Sequence, residues 1–391
     1  MHKIELMTEN NAPWEDVWWT KPCPPPKYSV ITDNRNPIPD MPSLFNTMHA
    51  HFSSAANATS ISNAFLDSLL QLPMQDWPAI SQQEVVDMLK LTSNASVPGP
   101  DSVTWHHIKQ IFNMEGVSDA ILTLFNNICD SSIWPSWFKE STSVIIPKPK
   151  TSDYTVPKSY RPIVLLNTLG KPLTKVMANH LQFDAAAYSL LHEGQCGRVQ
   201  KHATIDASII LLDFINANRE CGWHMSACTI NVAQFFPSLN HGVIAHVLAK
   251  LGFTKKLTNL ITSYFAGRKT SYWWDTAMSE LYDFSLGTLQ GNCLSPIISA
   301  LFLNITIKHV FPHSTPPKAM RCLFFVDDGA LCTASLSLTT NVQVLSQHLC
   351  ISSHLLLTSV SISNPPKLSL YIFLHFNSAG LWGIQIRDII M

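Results

Sequence analysis

The chain has 391 residues, with 26 Lys and Arg against 27 Asp and Glu, so its formal net charge is -1. Hydrophobic residues make up 46% of it, which is enough for a large core and excludes an intrinsically disordered chain. Because the net charge is close to zero, binding to nucleic acid by bulk electrostatics is disfavoured, although a local basic patch remains open.

The cysteines and the apolar runs bear on the compartment. Nine cysteines at irregular spacing form no disulfide framework, which favours reduced thiols. The N-terminus lacks the apolar core of a signal peptide, and no apolar run reaches the roughly 18 residues of a membrane span. We expect an intracellular protein, nuclear or cytoplasmic, that is neither secreted nor inserted in a membrane; its oligomeric state stays open.

Helices dominate the predicted elements in the first part of the chain. Residues 1–44, rich in Pro and Trp, predict an extended and weakly ordered lead-in. The capping box at residues 81–84 predicts a helix that begins near Gln82. The turn residues 98–101 precede a predicted helix over 103–112. Two further elements are a strand over 143–146 and a helix over 171–181.

Strands and helices are mixed in the second part. The predicted elements are a buried strand over 227–232, helices over 241–251 and 257–265, and a hairpin of 270–274 with 281–286. Ser295 and Pro296 predict the N-cap and first residue of a helix that ends near His309. A strand over 323–326, a tight acidic turn at 327–329 and a returning strand over 330–332 follow.

Charge is distributed unevenly along the chain. Residues 139–201 carry nine basic side chains against four acidic ones. This small basic excess is explained equally well by a solvated polar face and by a contact with nucleic acid. Residues 331–391 hold only three charged residues, so this segment either packs unusually or is not maintained as protein.

Asp327 and Asp328 follow an apolar strand, which is a way to hold two carboxylates at the edge of a site. Hard divalent cations such as Mg²⁺ prefer oxygen ligands, and a two-metal site needs them fixed. Taken alone, an Asp-Asp-Gly turn between strands is more often an ordinary hairpin turn.

The order of other sequence blocks changes this interpretation. In chain order the blocks are Pro98-Gly99-Pro100-Asp101, residues 144–150 with Tyr154 and 159–168, residues 230–241, residues 282–296 with Gln290-Gly291-Asn292, and Asp327-Asp328-Gly329. In this order they resemble the reverse transcriptase of non-LTR (LINE-like) retrotransposons, over residues 81–334.

The resemblance implies an α+β right-hand polymerase, with helix-rich fingers around an antiparallel palm sheet; no thumb is recognisable. It implies RNA-directed DNA polymerase activity, in which a primer 3′-hydroxyl attacks the α-phosphate of the incoming nucleotide with the help of two metal ions, Mg²⁺ or Mn²⁺. The implied partners are an RNA template, a DNA primer and deoxynucleoside triphosphates.

Site residues are implied position by position. Asp327 and Asp328 match the family's paired metal-binding aspartates, and Asn231 stands at the position of its first palm aspartate. The implied nucleotide-binding residues are Lys148 and Arg161 at the triphosphate, Phe236 against the ribose 2′-hydroxyl, and Gln290 and Gly291 beneath the incoming nucleotide. From composition alone, Phe235 and Phe236 could be core, Lys148 a solvated turn lysine and Arg161 an ion-pair partner.

Several positions depart from the family's pattern. Asn231 offers a neutral carbonyl oxygen where the reaction uses a charged carboxylate, and no other acidic residue lies on that strand. We expect this to cost several kcal/mol of transition-state stabilisation, roughly a thousandfold in rate. Leu289 and Asn292 also differ from the usual residues, and residues 195–198 are a ragged version of a Gly-rich block.

The resemblance fades past Ala334, and neither an endonuclease nor an RNase H domain is expected. This predicts a degenerate or truncated copy, with a frameshift after about residue 335. The expected division is a lead-in with an N-terminal helical extension (1–80), fingers and the start of the palm (81–226), a palm core (227–335) and a degenerate C-terminal segment (336–391).

Three alternatives remain. The first is a non-catalytic remnant, a pseudoenzyme that still binds RNA or a primer-template duplex through the basic segment. The second is a pseudogene product that never folds stably. A zinc cluster is the third, and its candidate ligands are Cys196, His202, Cys221, His224 and Cys228, which fit no closed four-ligand pattern.

Overall fold

The computed structural model describes most of the chain. The described residues are 31–33, 36–53, 66–67, 69–149, 151–197, 203–231, 235–284, 287–289, 291–310, 320–326, 328–359, 367–373 and 384–388. Helices and strands are mixed along this length, as the predicted α+β class requires. Most of the lead-in lies outside the described residues.

The helices of the described residues include those predicted over 103–112, 241–251, 257–265 and 295–309, with bounds that agree within two residues, and a longer helix in place of the predicted 171–181. In chain order they are α1 (Met41–Phe52), α2 (Gln82–Lys90), α3 (Trp105–Phe112), α4 (Val117–Ser131), α5 (Lys171–Ala187), α6 (Thr204–Glu220), α7 (Phe235–Ser238), α8 (His241–Lys250), α9 (Lys255–Phe265), α10 (Leu294–Val310) and α11 (Leu338–Ser359). The capping box is confirmed, because Ser81 Oγ accepts the Glu84 amide and the Glu84 carboxylate accepts the Ser81 amide at 2.8 Å.

A five-stranded antiparallel sheet is built around one central strand. In spatial order its strands are β11 (Ile384–Asp388), β10 (Lys367–Phe373), β5 (His224–Asn231), β9 (Asp328–Ser335) and β8 (Met320–Phe325). The predicted buried strand is β5, which pairs with β10 on one side and β9 on the other. Its Cys228 and Ile230 are almost fully buried.

A second, mixed sheet has four strands in the described part. In spatial order they are β4 (Tyr160–Leu166), β3 (Glu140–Pro147), β6 (Arg268–Trp274) and β7 (Ala277–Phe284). The predicted hairpin is confirmed as β6 and β7, whereas β3 and β6 pair in parallel. The short strands β1 (Thr32–Asp33) and β2 (Asn36–Pro37) lead into α1, which packs on this sheet through Phe52 and Tyr272.

The acidic turn differs from its prediction. Phe325 pairs with Asp328, so Asp328 and Gly329 belong to β9, and only two residues, at 326 and 327, connect the strands. Val326 takes the left-handed conformation with a φ of 65°. The turn therefore begins earlier than the sequence suggested, and Asp327 lies outside the described residues.

The start of α10 also differs. The helix begins at Leu294, and the Ser295 hydroxyl is buried without a hydrogen-bond partner in the described structure. The Leu294 amide instead donates to Asn292 Oδ1 at 3.2 Å. The prediction of Ser295 as N-cap is wrong, because Ser295 already lies inside the helix and the side-chain oxygen of Asn292 accepts the amide of the first helical residue.

One hydrophobic core joins the helices to the five-stranded sheet. Phe125 of α4, Leu173 of α5, Leu248 of α8, Leu301 of α10 and Leu331 of β9 are all fully buried. Helix α10 packs against α5, α8 and α11, which accounts for its apolar sequence. Over the described residues, no helix combines the length and the apolar character that crossing a bilayer would require.

The low-charge C-terminal segment contributes to this arrangement. Helix α11 packs against β5 and β9, with Leu345 and Leu349 nearly fully buried. The backbone of β10 pairs with β5 from Met225 to Asn231. A segment that covers one sheet and extends it needs few charged side chains.

Candidate active site

The ends of β5 and β9 bring two of the predicted site residues together. Asn231 of β5 lies directly opposite Asp328 of β9, and on its other side opposite Lys367 of β10. Partners of this kind have Cα atoms about 4.5–5.5 Å apart. Asp328 is exposed at this edge, and Asp327 is its neighbour in sequence.

The donor types at this edge are those of a hard divalent cation, because carboxylate and amide carbonyl oxygens are what such ions bind. No group of three or more His, Cys, Asp or Glu in the described residues could hold a metal ion. Asp327 and His202 of the zinc alternative lie outside the described residues. Cys228 is fully buried in β5, and burial raises the pKa of its thiol to about 11.

Phe236 lies at a contact between two of the sequence blocks. The Thr288 amide donates to the Phe236 carbonyl at 2.7 Å, and the Gly287 amide donates to the Leu239 carbonyl at 3.0 Å. Gly287 has a φ of 78°, and a Cβ on it would lie 2.5 Å from the Pro237 carbonyl oxygen. Only glycine permits this approach.

The two phenylalanines of the block differ in burial. Phe235 is 2% exposed and belongs to the core, whereas Phe236 is only partly buried and packs against that core. Their rings meet edge to face at 5.8 Å. Phe236 therefore keeps part of its surface open to a ligand, and Phe235 does not.

Gly291 brings a third block to the site. It has a φ of 115°, and a Cβ on it would lie 2.9 Å from the carbonyl oxygen of Val164 in β4. Gln290 lies outside the described residues. Next to Gly291, the Asn292 side-chain amide donates to the Tyr264 hydroxyl. The loop before α10 is thus held between β4 and α9.

The two predicted cations lie in the other sheet, at one end of the β3–β4 pair. Arg161 is exposed and opposite Ile146. Lys148 follows β3, and its Nζ donates to the Lys158 carbonyl at 2.8 Å. This bond holds Lys148 against its own loop, which fits the turn-lysine alternative as well as a ligand contact.

The block at residues 98–101 docks on the end of β4. The Asp101 carboxylate accepts the Thr168 amide at 2.6 Å and the Leu169 amide at 3.4 Å, while Asn167 Oδ1 accepts the Asp101 amide at 3.1 Å. A Cβ on Gly99 would overlap the Leu166 carbonyl oxygen. The sequence indicated only a turn here.

Most of these sequence blocks lie within a region that matches a known protein family. A family profile described as "Reverse transcriptase (RNA-dependent DNA polymerase)" matches residues 146–360, more than half of the chain. The chain belongs to the reverse transcriptase family. The predicted resemblance is confirmed, and the profile covers the sequence blocks from the end of β3 through Asp328 of β9.

The curated relatives of this reverse transcriptase chain come from mobile elements. The RNA-directed DNA polymerase from mobile element jockey of Drosophila funebris is 23% identical over 78% of this chain and 33% of its own length. A probable RNA-directed DNA polymerase from transposon BS of Drosophila melanogaster is 27% identical over 74% of this chain and 32% of its own length. The retrovirus-related Pol polyprotein from the type-2 retrotransposable element R2DM of the same fly is 26% identical over 58% of this chain and 20% of its own length. The chain thus spans about a third or less of their length.

The reverse transcriptase match does not end where the sequence analysis expected. It continues to residue 360 and so includes α11. The expectation that similarity fades past Ala334 is wrong, because the profile match extends through α11, whose Leu345 and Leu349 are buried.

The sequence did not reveal a buried arginine beside the loop that contains Gly291 and Asn292. Arg268 is 2% exposed; its guanidinium carbon lies 3.9 Å from the centroid of the Tyr264 ring, and its Nε donates to the Tyr264 carbonyl at 2.6 Å. Burial lowers the pKa of Arg268. Through Tyr264 and Asn292 it supports the loop that contains Gly291. No local pattern marks such a residue.

His241 gives a pH-dependent prediction. Its Nε2 lies 2.7 Å from the Gly287 carbonyl, so the neutral ring donates this bond, and the ring stacks on Phe265. Burial, together with the charge of Arg268, lowers its pKa in the fold below the ordinary 6.5, despite the opposing effect of the Gly287 bond. Its stabilising contribution is therefore complete above about pH 6.5 and is lost as the pH falls toward the folded pKa.

Between about pH 7 and pH 5 the free energy of unfolding falls as the pH decreases, and we expect this slope to be smaller in His241→Gln. The difference corresponds to the loss of at most one proton uptake on unfolding, or about 1.4 kcal/mol per pH unit. Denaturant titrations at several pH values measure the slope. Burial also lowers the pKa values of His49, His51 and His348, which contribute to the slope in the parent and in His241→Gln alike. The effect of His241 is therefore the difference between the two slopes. Equal slopes would contradict the assignment.

Proposed function

We propose that this chain forms the catalytic core of an RNA-directed DNA polymerase. In the reaction, the primer 3′-hydroxyl oxygen bonds to the α-phosphorus of a deoxynucleoside triphosphate, and the bond to pyrophosphate breaks. The observation that carries the proposal is the register that sets Asn231 opposite Asp328 at one end of an antiparallel sheet. In this proposal residues 227–335 are the palm core and residues 81–226 are the fingers and start of the palm.

Asp328, with Asp327 beside it in sequence, would hold Mg²⁺ or Mn²⁺. Such an ion supplies charge neutralisation at the transferred phosphate. The two aspartates provide charged oxygen ligands, while Asn231 provides at most a neutral one. This donor set fits a hard divalent cation but has one carboxylate fewer than the family's pattern.

The other site residues position the nucleotide and the template. Phe236 would limit space at the ribose, a role that its half-buried ring and its fixed backbone support. Gln290 and Gly291 would lie under the incoming nucleotide, and Lys148 and Arg161 would neutralise its phosphates. Binding at this site orders the reacting groups, which is the main contribution a protein makes to phosphoryl transfer.

Primer extension on an RNA template tests the proposal. In the full chain carrying Asn231→Asp, we expect Asp328→Asn to reduce Mg²⁺-dependent extension at least a hundredfold, because it removes a ligand charge. Asp119→Asn, on the exposed first turn of α4, is the matched control and leaves extension unchanged. Equal extension by the Asp328→Asn and Asp119→Asn proteins would refute the assignment of Asp328.

A second candidate is a non-catalytic protein that binds RNA or a primer-template duplex. The neutral Asn231 and the basic excess over residues 139–201 favour it. If this candidate is correct, binding to RNA or to the duplex weakens steeply as the salt concentration rises, and neither the parent chain nor its Asn231→Asp variant extends a primer. Filter binding across a salt series, run beside the extension assay, separates the two candidates.

A further inference from the structure

A buried segment lies along the outer edge of β8, beside the turn that precedes Asp328. Gln195 forms a parallel bridge with Phe324: the Phe324 amide donates to the Gly194 carbonyl at 2.7 Å, and the Cys196 amide donates to the Phe324 carbonyl at 2.8 Å. A Cβ on Gly194 would overlap the Cys322 carbonyl oxygen. The segment is thus fitted to this strand at backbone distance.

The Gln195 side chain contacts the turn itself. It is 2% exposed, and its Oε1 accepts the Val326 amide at 3.1 Å and the Gly197 amide at 3.0 Å. Its Nε2 donates to the Val326 carbonyl at 3.3 Å. One side-chain amide thus satisfies both polar groups of Val326, from a position 131 residues away in sequence.

Val326 needs such support. Its φ of 65° is left-handed, a conformation that β-branched residues avoid and that persists only where surrounding contacts determine it. Gly197 belongs to the same arrangement, because a Cβ on it would overlap the Val326 amide nitrogen. The neighbouring Phe325 and Asp328 are opposite each other, so fixing Val326 fixes where β9 begins.

We propose that Gln195 is a positioning residue that holds the Val326 turn and thereby the carboxylate of Asp328 at the metal-binding edge. This rests on the proposed function. Gln195 touches neither substrate nor metal; it acts through the peptide groups of Val326. Residues that orient metal ligands in this way change metal affinity by about 10–100-fold when they are replaced.

The test compares two buried glutamines in the full chain carrying Asn231→Asp. Gln195→Met keeps the size of the side chain and removes its three hydrogen bonds. Gln75→Met is the matched control: Gln75 is 5% exposed and donates to the Leu251 carbonyl at 2.6 Å, in a loop of a different part of the fold. Mn²⁺ binding is measured by electron paramagnetic resonance, and exchange of the amides around Val326 by mass spectrometry.

We expect Gln195→Met to weaken Mn²⁺ binding by about 10–100-fold and to speed exchange around Val326, whereas Gln75→Met does neither. Unchanged Mn²⁺ affinity in Gln195→Met, or an equal loss in both variants, would overturn the proposal. If the Asn231→Asp protein with both glutamines intact neither binds Mn²⁺ nor extends a primer, the proposed function fails instead. Exchange then decides alone: acceleration confined to the Val326 turn supports the role of Gln195, and no acceleration overturns it.

Discussion

We expect Asn231→Asp to increase Mg²⁺-dependent primer extension on an RNA template by roughly a thousandfold, corresponding to several kcal/mol of transition-state stabilisation. Asn231 ends β5 directly opposite Asp328, so the new carboxylate would be added next to an existing one. Two carboxylates so close repel each other without a cation, and a divalent cation relieves that repulsion. The gain therefore requires Mg²⁺ or Mn²⁺, and it is measured as the initial rate at saturating nucleotide.

Asn113→Asp is the matched control, since it adds the same charge at an exposed position after α3. We expect it to leave the rate unchanged. Equal extension by the parent and the Asn231→Asp protein would show that Asn231 does not disable the site. If neither protein extends a primer, the defect lies beyond this one residue and the binding candidate is favoured.

We expect Asp101→Ala to lower the free energy of unfolding by about 3 kcal/mol, because it leaves the partly buried amides of Thr168 and Leu169 without their charged acceptor. At about 2.1 cal/mol/K of unfolding entropy per residue, a chain of this size shifts by roughly 1–1.5 °C per kcal/mol, so we expect the thermal midpoint to fall by about 3–5 °C. Differential scanning calorimetry measures this shift.

Asp130→Ala serves as the control, since the Asp130 carboxylate pairs with Lys256 at the surface, where such pairs contribute little. Asp101→Asn retains one acceptor oxygen and is expected between the two. Equal midpoints for Asp101→Ala and Asp130→Ala would contradict the role of Asp101. A gradual melt of the parent, with no cooperative transition, would instead favour the product that never folds stably.

The helices illustrate what local sequence predicts well. Their capping residues act within one turn, so the start of α2 could be predicted to the residue from Ser81 and Glu84. Predictions that depended on tertiary contacts were less accurate. Helix α5 continues to Ala187, beyond the predicted 181, because Leu181 and Ala185 are buried by neighbouring elements. The helix α10 begins before Ser295 for a similar reason, since Asn292 is already held by Tyr264.

The sequence by itself determined the class of elements, their order and, through the order of the blocks, membership of the reverse transcriptase family. The sequence also identified Asn231 at the position of the family's first palm aspartate, which requires no knowledge of the fold. Only the tertiary structure decided that Asn231 faces Asp328, that Gly291 meets Val164, and that Gln195 holds Val326. The physical reason is range: capping and periodicity act between neighbours in the chain, whereas strand register and close backbone approach depend on partners that no local pattern specifies.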